Sequence, residues 1–199
     1  EDINWNNFTL RQRGRLMFMS SPIARSAIET QKTKVVSTGL NLHSTIDADL
    51  LKMTPDAAKK WQRNTEREWK IWAENRENCD STGMNTFAVM QQLAVVNLLP
   101  NGDIFGVFKR DFKTTPMNPY SLRVHMIEAD RICTPYDLRL PPHGMRTDGI
   151  AKNGNKIYDG VEVDKNGKVV AIYICNIYPN QMIRDANKVE WERVQLRRL

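Results

Sequence analysis

The sequence predicts an α+β fold, with a helix-rich N-terminal half followed by a small, mainly antiparallel β-sheet that includes a hairpin. Three features predict it. Ser21-Pro22 and Thr54-Pro55 each put a good N-cap residue before a proline, which the first helical position tolerates. The stretch Thr86–Leu99 is apolar almost all round and is followed by Pro100. Beyond it the apolar residues alternate, and Asp164-Lys165-Asn166-Gly167 sits between two alternating runs, a strong hairpin signal.

TLRQRGRLMFM, residues 9–19, reads as a short basic helix. In the next helix Ala24, Ala27, Ile28, Gln31 and Val35 share one side, with Arg25, Glu29 and Lys32 opposite and Gly39 as the stop. LNLHS, residues 40–44, alternates and is expected as a short edge strand. The helix from Pro55 to Glu74 carries Ala58, Trp61, Thr65, Trp69 and Trp72 on one stripe; three tryptophans there would each bury on the order of 150–250 Å². Glu66 and Lys70 form an i,i+4 pair on the other side. CDSTGMN (79–85) is expected as a loop, and the apolar helix after it as a central one that Pro100 ends. Strands follow over Ile104–Arg110 and Ser121–Ile132, separated by a loop with two prolines. Residues 134–155 are rich in turn formers, then comes the hairpin, and the remainder is polar. The chain is read as one domain over 1–199, mainly helical over 1–100, mainly β over 101–178, with a linker over 179–199.

At 199 residues the chain is long enough to bury roughly 70% of its unfolded surface, so a core forms without metal or disulfide staples. Cys79, Cys133 and Cys175 are odd in number and widely spaced, with no CxxC, so neither a disulfide framework nor a zinc site is expected. A reducing compartment suits them. No apolar run reaches the ~18–20 residues that span a bilayer, and no signal peptide is visible, so no membrane partner is expected. The net charge of +6 is spread along the chain and permits an anionic partner without demanding one. The start at Glu1 and the stop at VQLRRL suggest a piece of a longer protein, although processing or trimming would look the same.

The search for chemistry yields no catalytic residue, no cofactor and no metal site. Glu128 and Asp130 stand at a strand end, where metal-dependent nucleases keep carboxylates. The E-x-K such an enzyme needs occurs here as Glu68-Trp69-Lys70, inside the long helix and facing the wrong way. Capping of a turn by local side-chain bonding is the preferred reading of Glu128 and Asp130. Ser20, Ser21 and the cysteines lack any nucleophile frame. His43, His125 and His143 are scattered. Gly102, Gly106, Gly149 and Gly154 build no phosphate loop. Asn101-Gly102 is expected to supply a left-handed turn that Asp103 ties down. Arg11, Arg13 and Arg15 recur every second residue, a basic face more typical of a solvated or subunit-contact surface than of a phosphate grip. The aromatics are not interleaved with basic residues as a single-strand binder requires.

Three blocks together resemble a known family. SPIARSAIETQKTKVVSTGLNL (21–42) is similar to the S-P-x-A-x-x-A-I … V-V-G-x-G-L-x-L opening of the lambda-type phage portal proteins. Residues 65–105 resemble that family's E-x-E-F-x-x-W-A … C-D … F-x-x-L-Q-x-L-A … G-D-x-F. SLRVHMIEADRI with YDGVEVDKNGKVVAIYI resembles L-x-L-Q-L-I-E-A-D-R-I … G-V-E-x-D-x-x-G-x-x-V-A-Y-x-I. Ser37 replaces a usual glycine, and Ile172-Tyr173 stand where a His is usual. The resemblance implies a structural, non-enzymatic subunit of a dodecameric ring at a capsid vertex. Such a ring passes double-stranded DNA, docks the terminase large subunit, and contacts capsid, scaffold and head-completion proteins. It is assembled in the host bacterial cytoplasm and resides in the virion. This chain would match the mostly wing N-terminal part, with 179–199 leading toward a stem. Arg11, Arg13, Arg15, Lys109 and Lys113 are then the candidate subunit contacts. A stand-alone basic DNA-binding module and a metal-dependent nuclease at Glu128 and Asp130 are the alternatives.

Overall fold

A computed structural model describes residues 2–110, 113–116, 118–140, 148–178 and 189–196. Helices α1 (Asp2–Ser20), α2 (Pro22–Val35), α3 (Pro55–Glu74), α4 (Arg76–Cys79) and α5 (Phe87–Asn101) precede strands β1 (Ile104–Lys109), β2 (Arg123–Glu128), β3 (Gly149–Ile150), β4 (Lys156–Tyr158), β5 (Val161–Val163), β6 (Val169–Cys175) and β7 (Trp191–Gln195). The fold is α+β, as the sequence predicts. By contacts the chain divides into a helical unit, Phe18–Leu99 with Phe105–Met126, and a sheet unit, Glu1–Met17 with Pro100–Ile104 and Ile127–Leu199.

In the helical unit the predicted caps form. Ser21 Oγ accepts from the N–H of Ala24 and Thr54 Oγ1 from that of Ala57, each with proline in the first turn. Trp69, Trp72 and Phe87 pack with ring centroids about 5 Å apart around buried Cys79, Met90 and Val124. Trp72 Nε1 donates to Leu122 O at 2.9 Å, so this buried indole keeps its polar group satisfied. Trp61 does not join the stripe's core: it is exposed, near the start of α3 where the cluster around Trp69 and Trp72 no longer reaches. α5 is less enclosed than its composition suggests. Met90 is buried, but Val89, Leu93, Leu98 and Leu99 are exposed.

Several boundaries differ from expectation. α1 begins seven residues before Thr9. Leu40–Ser44 joins no sheet; side chains stand in for a strand partner, Gln91 Oε1 accepting the Leu40 N–H at 2.8 Å and Glu66 Oε1 that of Ser44 at 2.9 Å. Pro100 lies inside the last turn of α5, where it removes one helical bond without ending the helix. β2 stops at Glu128 because Ala129–Arg131 winds into a 3₁₀ turn. Part of the expected 179–199 linker is strand: Trp191–Gln195 pairs antiparallel with β6 along its whole length. The alternating bonding of a sheet outweighs the polar composition there.

The sheet unit holds an antiparallel sheet of order β3-β4-β5-β6-β7. The hairpin forms at Asp164–Lys168 as predicted: Asp164 Oδ1 accepts the N–H groups of Asn166 and Lys168, and Gly167 takes a φ of 78°. Gly160 is also left-handed, and a Cβ there would lie 2.5 Å from Cys133 N. Its N–H donates to the buried Thr134 hydroxyl at 3.1 Å.

Candidate functional site

Three carboxylates organise the chain. The first is Asp130. α1 places Arg11 and Arg15 four residues apart on one face, and both reach Asp130, Arg11 at 3.6 Å and Arg15 through a hydrogen bond. Arg11 also donates to Asn101 O at 3.1 Å and lies 3.6 Å from Asp103. α1 comes close enough to do this because Gly14 has no side chain: a Cβ there would lie 2.4 Å from Pro100 O. Asp103 pairs with Arg11, and Gly102 takes the left-handed conformation (φ 84°) expected of the turn. Asp130 likewise is held by helix arginines, not by local capping. Two guanidinium groups thus flank the Asp130 carboxylate. Glu128 accepts from Tyr178, whose hydroxyl burial and the Glu128 charge push upward in pKa. Glu68 of the E-x-K accepts from Tyr120, and Lys70 pairs with Glu74 at 3.7 Å.

The remaining candidates are placed as follows. Arg13 and Lys113 are exposed, while Lys109 is half-buried. Ser21 is a helix cap, and Cys79, Cys133 and Cys175 are buried free thiols. Burial pushes Cys79 and Cys133 up to about 11, so both are protonated and unreactive at neutral pH. His125 Nδ1 lies 2.7 Å from Ser81 Oγ, and His43 is exposed, 3.5 Å from Glu66. His143 lies outside the described residues. Among the described residues no three His, Cys, Asp or Glu side chains converge as metal ligands, and no helix is long and apolar enough to cross a membrane.

The second carboxylate, Asp80, is the hub of the 79–85 loop. It accepts from Thr82 N (2.9 Å), Thr82 Oγ1 (2.7 Å), Met84 N (3.3 Å), Asn85 N (3.0 Å) and Asn85 Nδ2 (3.1 Å). Burial alone would raise its pKa, but these bonds from Thr82 and Asn85 outweigh it and hold the carboxyl below its ordinary value. The loop so closed buries Cys79 and sends the Ser81 N–H to Val124 O at 3.0 Å.

The third, Glu162, is fully buried in the sheet unit. Asn153 and Asn155 each donate to Oε1 at 2.8 Å, Tyr173 donates its hydroxyl to Oε2 at 3.2 Å, and Arg193 donates Nε to Oε2 at 2.7 Å and Nη2 to Oε1 at 3.0 Å. The bidentate Arg193 bond, against the opposing effect of burial and with the two asparagines, lowers its pKa to about 2. An open cleft of about 530 Å³ adjoins this cluster, lined among others by Pro135, Leu138, Lys152, Tyr173, Trp191 and Arg193. Asp80, Glu162 and Arg193 were not singled out in sequence. Glu162 sits between Val161 and Val163 in an alternating run, which reads as an outward polar position; here the charge points inward. The adjacent Gly160 and the asparagine pair were the available signals.

Each of the three carboxylates is tied to groups of its own chain. A model of the phage portal proteins of the lambda family matches residues 1–199, the whole chain. The chain belongs to that family. A relative described as a probable portal protein, from Halomonas phage phiHAP-1, is 26% identical over 187 residues, covering 94% of this chain. The chain spans about a third of that relative's length, 32%. In this chain the C-D and G-V-E stretches are the Asp80 loop and the Gly160–Glu162 cluster, where each carboxylate binds the residues around it together.

Proposed function

We propose that this chain is the N-terminal, wing-type part of a portal subunit that assembles into a ring, with twelve copies as the expected number, at one vertex of the phage capsid. The ring passes double-stranded DNA during packaging and ejection, docks the terminase large subunit, and contacts capsid, scaffold and head-completion proteins. It is built in the host bacterial cytoplasm and leaves in the virion. Its role is structural, without catalysis. The observation that carries this reading is the family match over every residue. The many-donor bonding of Asp80 and Glu162 supports it, since a carboxylate so occupied by its own chain is a scaffold element. Residues 179–199 lead toward the stem in this reading. Arg13 and Lys113, exposed, are the stronger subunit contacts of those read from sequence. Arg11 and Arg15 already hold Asp130, so their substitution would act on the subunit itself as well as on any neighbour. The DNA-binding alternative has only the net charge of +6 in its favour.

The test is genetic. A nonsense codon early in the gene of the parent phage or prophage is expected to give no DNA-filled heads and no infectious particles, with both restored by the gene supplied in trans. Filled, infectious particles without the gene product would refute the proposal.

A further inference from the structure

Among the described residues β7 is the last strand of its sheet, with an open edge. Along β6–β7 the Leu196 N–H donates to Val170 O at 2.9 Å and the Asn176 N–H to Glu190 O at 3.0 Å. With the continuous register between them, the bonded pairs fall on even-numbered residues of this strand. The N–H and C=O groups of Trp191, Arg193 and Gln195 therefore point away from β6, and among the described residues no further strand lies beside β7 in the sheet. Such an edge is a template for another strand.

The chain also carries a matching segment without a strand partner. In Leu40–Ser44 the N–H groups of Leu40 and Ser44 are taken by side chains of α5 and α3. At strand parity Asn41 and His43 present theirs the other way, and neither backbone N–H has a protein partner among the described residues. Leu40 and Leu42, two residues apart, are 60% and 40% exposed.

We propose that the open edge of β7 receives the Leu40–Ser44 segment of a second copy as an added strand. Trp191 and Arg193 line the cleft of about 530 Å³, so a strand laid beside them sets every second side chain at its mouth. Paired parallel, with Asn41 and His43 bonding to the odd-numbered residues of β7, the segment sets Leu40 and Leu42 on the face of Trp191 and Arg193, where they sit against Pro135, Leu138 and Trp191. Main-chain bonds give the attachment and the cleft gives the register, the usual division in strand addition. The edge and the segment are different surfaces, so the contact is head to tail and closes by rotation, as a ring requires. The inference rests on the proposed ring and names a contact that builds it.

The experiment uses the full-length protein carrying Leu42→Cys with Gln195→Cys, treated with a short bis-maleimide and run on a denaturing gel. The three cysteines of this chain are buried, and the unsubstituted full-length protein controls for every native cysteine. The expected result is a ladder of crosslinked copies rising to the ring number, absent from each single variant. A second variant, Gln195→Pro, removes an outward N–H where an edge strand tolerates proline; it is expected to keep the melting temperature and lower the assembled fraction. Intact rings without a ladder, or with Gln195→Pro assembling normally, would overturn the strand contact and leave the ring standing. Dimers from Gln195→Cys alone would show two β7 edges pairing symmetrically and would also overturn it. Absence of rings in the unsubstituted protein would remove the reading on which the inference rests.

Discussion

Asp80 and Glu162 are both buried carboxylates that accept from several donors, yet they do different work. All of Asp80's hydrogen-bond partners lie within five residues along the chain, at Thr82, Met84 and Asn85. It folds a loop on itself. Glu162's partners come from 7 to 31 residues away and from separate elements, the 153–155 turn, β6 and β7. It ties a sheet together. A carboxylate with local partners leaves its neighbours near water when removed. One with distant partners leaves a half-exposed guanidinium and two amides without their acceptor.

The largest effect expected is therefore at Glu162. Glu162→Ala should destabilise by about 3–5 kcal/mol, the cost of breaking a buried pair, tempered by the partial exposure of Arg193. Denaturant unfolding of the chain measures it, and a loss below that of Asp80→Ala would reverse the comparison. The pH dependence follows with a definite sign. Glu162 has a folded pKa of about 2 against an ordinary 4.5, so its contribution is full above pH 4.5 and is lost as pH falls toward 2. It amounts to about 3 kcal/mol on that shift. Glu162→Gln should flatten melting temperature against pH across this window. Gly160→Ala should cost about 1–3 kcal/mol, because its Cβ meets the Cys133 backbone at 2.5 Å with φ at +83°. Asp80→Ala should cost about 1–3 kcal/mol, with fast amide exchange confined to residues 82–85. Smallest is Asp103→Asn, which weakens the pair of an exposed carboxylate with Arg11 at 3.6 Å and should change stability by less than about 0.5 kcal/mol.

The same contrast explains what the sequence could show. Local signals were legible: the Ser21 and Thr54 caps, the Asp164–Gly167 hairpin and the Trp69–Trp72 stripe all depend on residues a few positions apart. Contacts across long separations were not. Arg193 lies in a stretch whose composition reads as linker, and its strand character comes from pairing with β6. Arg15 reads as a surface cation until Asp130, 115 residues away, is brought to it. Trp61 fits the helical stripe, but periodicity cannot tell where the facing core ends. What Asp80 and Glu162 do is visible only in their hydrogen bonds, the one set local and the other spanning the sheet unit.

The central claim, that this chain is part of a ring-forming portal subunit, is tested most directly by negative-stain imaging of the full-length gene product together with its native mass. Rings with a central channel and a mass of about twelve subunits are predicted. A monomer or dimer that persists across salt conditions would contradict it.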